Sequence, residues 1–331
     1  METSDILKIK TPDRNFFPFD SWNEKQRLVN FSSRNHLLLH KVNGFTENEK
    51  LWHFHPIAFV QHLKRLFDGD TSITKEQLKA IVPEITDANL NKYIGPLNET
   101  LTNYEIISRL EQAHFIAQIA AESDYFAATK EYGMKRWDNP DWYFLAYDPE
   151  PEKELENLDD TTTPTLDEFL SKMSAVYSPT FSTVESFTNW ANPRALSNGN
   201  SEHGDGIAFC GKGLIHVTWK TNYEEYAKYR QKKYGESGTI DRAYLKSLGT
   251  KMKDDPKYAA DSAGWFWRIY KNTYRDFEKN ATVKRFTLLV NGGYNGIDTR
   301  KKVFKKAYEV FSLEAKHGRV DKWLEDKFYA S

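Results

Sequence analysis

Two glutamates, Glu122 and Glu131, stand nine residues apart in AHFIAQIAAESDYFAATKEYGM. Paired carboxyls can cleave a glycosidic bond. One is kept protonated and gives its proton to the leaving oxygen; the other is ionised and serves as base or nucleophile. Glu122 follows Ala120 and Ala121, and a partly apolar pocket would raise its pKa and suit it to the acid role. The eight residues SDYFAATK are enough for the chain to leave a helix and turn back. The sequence holds 47 acidic residues, so chance pairs are common, and either glutamate can also be read as a surface acid at the end of a helix.

Other chemistries fit less well. Cys210, the only cysteine, lies in AFCGKG without a local cysteine-protease signature, and a buried cysteine is commonly a small hydrophobe. The histidines include His36, His40, His53 and His55, but neither an H-E-x-x-H nor a zinc-spaced Cys/His pattern occurs, so no metal is expected. GDGIAFCGKG contains Lys212 but not the order of a phosphate loop; Gly211 and Gly213 suggest instead that something lies close against the backbone. Residues 148–160 hold seven acids and one lysine, and with TTTPT after them they read as a solvated acidic insertion, about 148–165, without EF-hand ligand order.

The elements that must position these groups are mostly helical. Ser72 or Thr74 can cap a helix through Ile81, ended by Pro83, and ITDANLNKYIGPLNETL follows as a second. Thr102 and Glu105 have capping-box spacing ahead of Ile106, Leu110, Ala113 and Ala117, which predicts the helix that ends at Glu122. TLDEFLSKMSAVY, STVESFTNWANP, NYEEYAKYRQKKYG, PKYAADSAGWFWRIY and TRKKVFKKAYEVFSLEA read as further helices, and GKGLIHVTW as a short strand pair between glycines. The fold class is mainly α with a small β element. Residues 1–71 read as an N-terminal extension or small domain, with a strand and Asn-Gly turn in LLLHKVNG and helical spacing in FHPIAFVQHLKRLF.

Bulk numbers exclude some partners. Net charge is −1 with 28% charged residues over 331, so no basic field would gather nucleic acid. No run reaches the roughly 18 apolar residues of a membrane-spanning helix. METSDILKIKTPDRN lacks an apolar signal region, so the expectation is synthesis in the cytoplasm without a signal peptide. Aromatics reach 15%, which suits a large core or a sugar cleft equally.

Four stretches in order, SITKEQLKAIVP, AHFIAQIAAES, GKGLIHVTWKTNY and VNGGYNG with its following TR, resemble the bacterial family 19 glycoside hydrolases, chitinase-like enzymes with a lysozyme-type helical fold. The resemblance covers roughly residues 72–312 and implies a hydrolase domain over 72–331. It implies Glu122 as general acid and Glu131 as general base, although KEYGMKR departs from the family's surroundings of that base. It implies Thr218 as the hydroxyl that helps hold the attacking water. His216, Asn222, Tyr223, Asn291 and Lys212 would touch substrate, with His216 in place of a glutamine and Lys212 in place of an arginine. Arg300 and Gln118 would support the carboxylates, and no cofactor is needed. The implied reaction is inverting hydrolysis of β-1,4 bonds in peptidoglycan or chitin. Lytic transglycosylase chemistry and a non-catalytic glycan-binding module are the alternatives.

LWHFHPIAFVQHL resembles the region ahead of the enzyme domain in Gram-negative peptidoglycan-targeting toxins, type VI secretion effectors among them. That resemblance implies action on the target cell's wall in the periplasm, a secretion-apparatus contact and an immunity protein in the producing cell. A phage endolysin would look much the same.

Overall fold

The computed structural model describes residues 71–273 and 282–325. The readings for residues 1–70, including the Asn-Gly turn, the helical stretch after Pro56 and His36, His40, His53 and His55, lie outside the described residues. Ser72–Ser331 is assigned to one compact unit.

The described chain is mainly helical. Thr74 caps α1 (Lys75–Ile81) in a full capping box with Gln77. Next come α2 (Asp87–Asn103) and α3 (Arg109–Glu122), the latter buried from Leu110 to Ala120, with Glu111, Gln112, His114 and Gln118 as polar residues among its apolar ones. The start of α3 corrects the sequence expectation. Ser108, not Thr102, is the N-cap, and its side chain accepts from the Glu111 amide. Thr102 still belongs to α2, and Glu105 takes φ 56° in the turn between the helices.

A short 3-10 helix, Pro140–Tyr147, precedes α4 (Leu166–Tyr177) and α5 (Val184–Ser197). Then come α6 (Lys220–Tyr234), α7 (Arg242–Asp254), α8 (Pro256–Trp265), α9 (Val283–Asn291) and α10 (Ile297–Val310), followed by two single turns, Glu314–His317 and Val320–Trp323. The expected strand pair is smaller than anticipated. It consists of two antiparallel bridges, Lys130 with Lys212 and Lys212 with Val217.

The acidic insertion is not a free loop. Asp148 is fully buried, and its carboxylate accepts from the amides of Glu150, Gly204 and Gly206. Leu155 and Leu158 are buried as well. Burial pushes the Asp148 carboxyl above its ordinary range, and the three N–H groups with His203 at 3.6 Å offset part of that push.

Among the described residues two hydrophobic clusters form the interior. The larger holds α3, α8 and α10, with α10 packed along α3. The smaller gathers Trp137, Phe144, Leu155, Phe169 and Phe187 from the 3-10 helix, the acidic segment, α4 and α5.

Candidate active site

Glu122 is the last residue of α3, where the helix leaves the larger cluster. Ser123 then turns the chain. Its hydroxyl donates to the Ile119 carbonyl at 2.6 Å and accepts from the Phe126 amide at 2.9 Å. Asp124, Tyr125 and Phe126 follow with φ of 48°, 56° and 68°, three consecutive residues in the left-handed region. Each such residue costs about 1–2 kcal/mol. The burial of Phe126 against Tyr93 and the two Ser123 bonds hold the turn against that cost. The result is a reversal that brings Glu131 back toward Glu122 within nine residues.

Glu122 Oε1 receives two donors. One is Arg300 Nη2, in a close ion pair; the other is Asn291 Nδ2 at 3.4 Å. Arg300 is itself buried in α10, with its Nε on Gln118 Oε1 at 2.8 Å and its Nη1 on the Asn295 carbonyl. Gln118 lies one helical turn before Glu122, so a single guanidinium spans two successive positions on one face of α3. Burial holds the Glu122 carboxyl above the ordinary range, although Arg300 and Asn291 pull it down; the charge of Glu131 adds to the upward push. The side chain remains 17% exposed, so the acid is reachable. Both contacts fall on Oε1, which leaves Oε2 to carry a proton.

Glu131 is held from the other side. Its amide donates to the Gly211 carbonyl at 2.8 Å, its Oε2 accepts from the Gly211 amide at 3.2 Å, and its Oε1 accepts from the Tyr147 hydroxyl at 3.0 Å. Burial raises its pKa too, while the Gly211 N–H, the Tyr147 hydroxyl, Arg194 and Lys130 favour the ionised form. The two expected glycines act as anticipated. A Cβ on Gly211 would meet His216 Cβ at 2.8 Å and Glu131 Oε2 at 3.0 Å, and Gly213 sits at φ 82° against Ser262. What lies against the backbone is therefore the second carboxylate. A depression of about 340 Å³ opens beside Glu131, walled in part by Lys130, Tyr132, Lys135, Pro140 and Lys253.

Thr218 stands just past the Val217 bridge, half-buried, with its hydroxyl donating to the His216 carbonyl at 2.9 Å. Asn222 donates its Nδ2 to the Thr218 carbonyl at 2.7 Å and so braces that residue. His216 adopts φ 52°. Its Nε2 is buried with no hydrogen-bond partner among the described residues, and burial pushes the ring pKa down to about 4. Asn291 is exposed at the end of α9.

Two expected substrate contacts need correction. Tyr223 is fully buried, and its hydroxyl donates to the Cys210 carbonyl at 2.7 Å. Lys212 is buried behind the bridge, with its Nζ on the Ala208 carbonyl at 2.5 Å and 3.4 Å from the Tyr223 hydroxyl. Both brace the Gly211 backbone from inside, and neither presents an atom to a ligand. Cys210 is also buried, and burial pushes its thiol up, away from nucleophilic chemistry.

Sequence reasoning missed Tyr147, Arg194 and the role of the 3-10 helix. The aromatic density of DWYFLAY was the available signal. Among the described residues no cluster of three or more metal-ligating side chains occurs, and no helix is long and apolar enough to cross a membrane.

No known family model matches the chain. It is similar to a glycosyl hydrolase family 19 domain-containing protein of Haemophilus influenzae (strain ATCC 51907 / DSM 11121 / KW20 / Rd), with 27% identity over 199 residues, 60% of this chain and 79% of that protein. Its backbone is also similar to chitinase C from Streptomyces griseus HUT6037, at 16% identity and a TM-score of 0.41 over 74% of this chain and 78% of that one.

Proposed function

We propose that this chain is a glycoside hydrolase that cuts β-1,4 bonds of peptidoglycan glycan strands by single displacement. The observation that carries the reading is the contrast between two neighbouring buried carboxyls. Glu131 has a donor on each oxygen, an arrangement matched to its ionised form. Glu122 has both contacts on one oxygen and burial that favours its proton. Likeness to the family 19 relative supports the same reaction class.

In this mechanism Glu122 protonates the glycosidic oxygen through Oε2. Arg300 then stabilises the carboxylate left behind. A water gives one hydrogen bond to Glu131 and one to the Thr218 oxygen, whose own proton is committed to the His216 carbonyl. That aims its lone pair at the anomeric carbon from the opposite face, and the configuration inverts. The exposed amide of Asn291 binds the sugar's polar groups, Asn222 holds Thr218 in place, and His216, whose Nε2 is buried, packs beneath Gly211 rather than on the sugar. The biological setting we propose is wall lysis by an injected antibacterial toxin, paired with an immunity protein in the producing cell. The resemblance of residues 51–63 is its support.

Glu122→Gln is expected to abolish release of reducing ends from purified peptidoglycan while leaving the circular-dichroism melt near that of the parent. Retained activity would remove Glu122 as the acid. Mass spectrometry of the products tests the rest. Reducing ends support hydrolysis, and anhydro-muramyl ends mean transglycosylase chemistry instead. Faster turnover of chitin oligomers than of peptidoglycan would reassign the substrate. Binding without cleavage would make the chain a glycan-binding module.

A further inference from the structure

Arg194, in the last turn of α5, is enclosed by aromatic rings. Its guanidinium carbon lies 5.1 Å from the ring centres of Trp190 and Trp219, 5.3 Å from that of Tyr177 and 5.4 Å from that of Tyr147. The rings also pack on one another, Tyr147 against Trp219 at 4.9 Å and Tyr177 against Trp190 at 4.8 Å. Its polar contact within the cage is a 3.5 Å approach to the Ala146 carbonyl, one residue before Tyr147. Among the described residues it forms no ion pair with a carboxylate. A half-buried cation held by ring faces keeps its charge available to the nearest anion, and a planar guanidinium can face several rings where a lysine ammonium acts as a point charge. The Tyr147 ring in this cage carries the hydroxyl that donates to Glu131 Oε1 at 3.0 Å, so the carboxyl one ring away is that of Glu131.

We propose that Arg194 is a positioning residue for Glu131, locking Tyr147 in the pose that holds Glu131 Oε1 and placing a positive charge one ring away from that carboxyl. This rests on the reading of Glu131 as the base. The groups facing that carboxyl come from several elements. Lys130 adjoins it but is paired to Asp141 at 2.7 Å. Tyr143 and Tyr147 face it from the 3-10 helix, and the Gly211 amide, Cys210 and Tyr223 from the glycine turn and α6. Glu122 faces it from α3. Within this set Arg194 is the cation whose charge no carboxylate neutralises. The sequence puts it in WANPRALSNGN, just past the stretch read as a helix, and its surroundings are visible only from the packing.

The test is the pH profile of kcat/KM for peptidoglycan hydrolysis by the full chain carrying Arg194→Met, Arg194→Gln or Arg194→Lys. The Met and Gln variants are expected to move the acidic limb to higher pH by about one unit, a tenfold change in the base's ionisation equilibrium. Arg194→Lys is expected to keep the limb in place while lowering kcat through a looser Tyr147. KM should change little in any of them. If Met does not fold, Gln carries the same prediction. An unmoved acidic limb in a folded, charge-free variant overturns the proposal, as does an equal shift in the lysine variant. Glu131→Gln is measured alongside. If it keeps activity, the base assignment has failed; if it is inactive while the Arg194 variants keep the parent's limb, Arg194 alone has failed.

Discussion

Tyr147→Phe isolates one hydroxyl. The ring keeps its contacts with Trp219 and Phe144, and the lost atom is the donor 3.0 Å from Glu131 Oε1. A hydrogen bond to a charged acceptor contributes about 1.5–3 kcal/mol. At about 1.4 kcal/mol per pH unit, its loss raises the Glu131 pKa by roughly one to two units. The sign is fixed by the role. A base must be ionised, so the acidic limb of kcat/KM moves to higher pH while the alkaline limb, set by Glu122, stays where it is. The bell narrows from one side, and activity on the acid shoulder falls about tenfold or more but returns as pH rises. Linkage gives a second reading. Glu131 has a folded pKa above its unfolded one, so its contribution to stability falls as pH rises through that interval, and the variant steepens the fall. Initial rates of reducing-end release across pH provide the assay, with urea midpoints beside them. A plateau lowered evenly at every pH, with both limbs unmoved, would refute the reasoning.

Three further outcomes follow from the same geometry. Arg300→Met removes the donor to Glu122 and to Gln118 Oε1; Glu122 then keeps its proton to higher pH, so the alkaline limb of kcat/KM should move up, and the unpaired Gln118 oxygen should cost about 1–3 kcal/mol in denaturant unfolding. Gly211→Ala forces a methyl against His216 and Glu131 and should cost about 1–3 kcal/mol, with activity falling out of proportion to the folded fraction because the base is displaced. Ser123→Ala leaves the buried Phe126 amide without its acceptor and should cost about 1–3 kcal/mol, read as a lower urea midpoint with kcat reduced as the turn between the two glutamates loosens.

The helices with apolar periodicity and clear caps were readable from sequence, α1 and α3 among them. The α3 start was misplaced because Thr-x-x-Glu spacing also occurs where α2 closes, and a backbone reversal at Glu105 cannot be inferred from pattern. Two helices were passed over. α7 begins after a short polar stretch, and α9, which delivers Asn291, has only nine residues, too few for its period to stand out. Resemblance marks residue type at a position, which is how Glu122, Glu131, Arg300 and Thr218 enter as candidates, and the structure pairs Glu122 with Arg300. Burial is not marked that way. Tyr223 and Lys212 occupy their motif positions yet turn inward, and Tyr147 reaches Glu131 across 16 residues of chain while Arg194 reaches the Tyr147 ring from α5.

The two hydrophobic clusters carry a consequence for how the protein tolerates change. Glu122 is rooted in the larger one, while Glu131 is steadied by Tyr147 from the smaller. The banks of the cleft can therefore soften independently. A cavity in the smaller cluster, such as Phe187→Ala, would speed amide exchange in the 3-10 helix and blur the base while α3 stays protected. Sequence drift can thus retune the side that holds Glu131 without reopening the packing around Glu122.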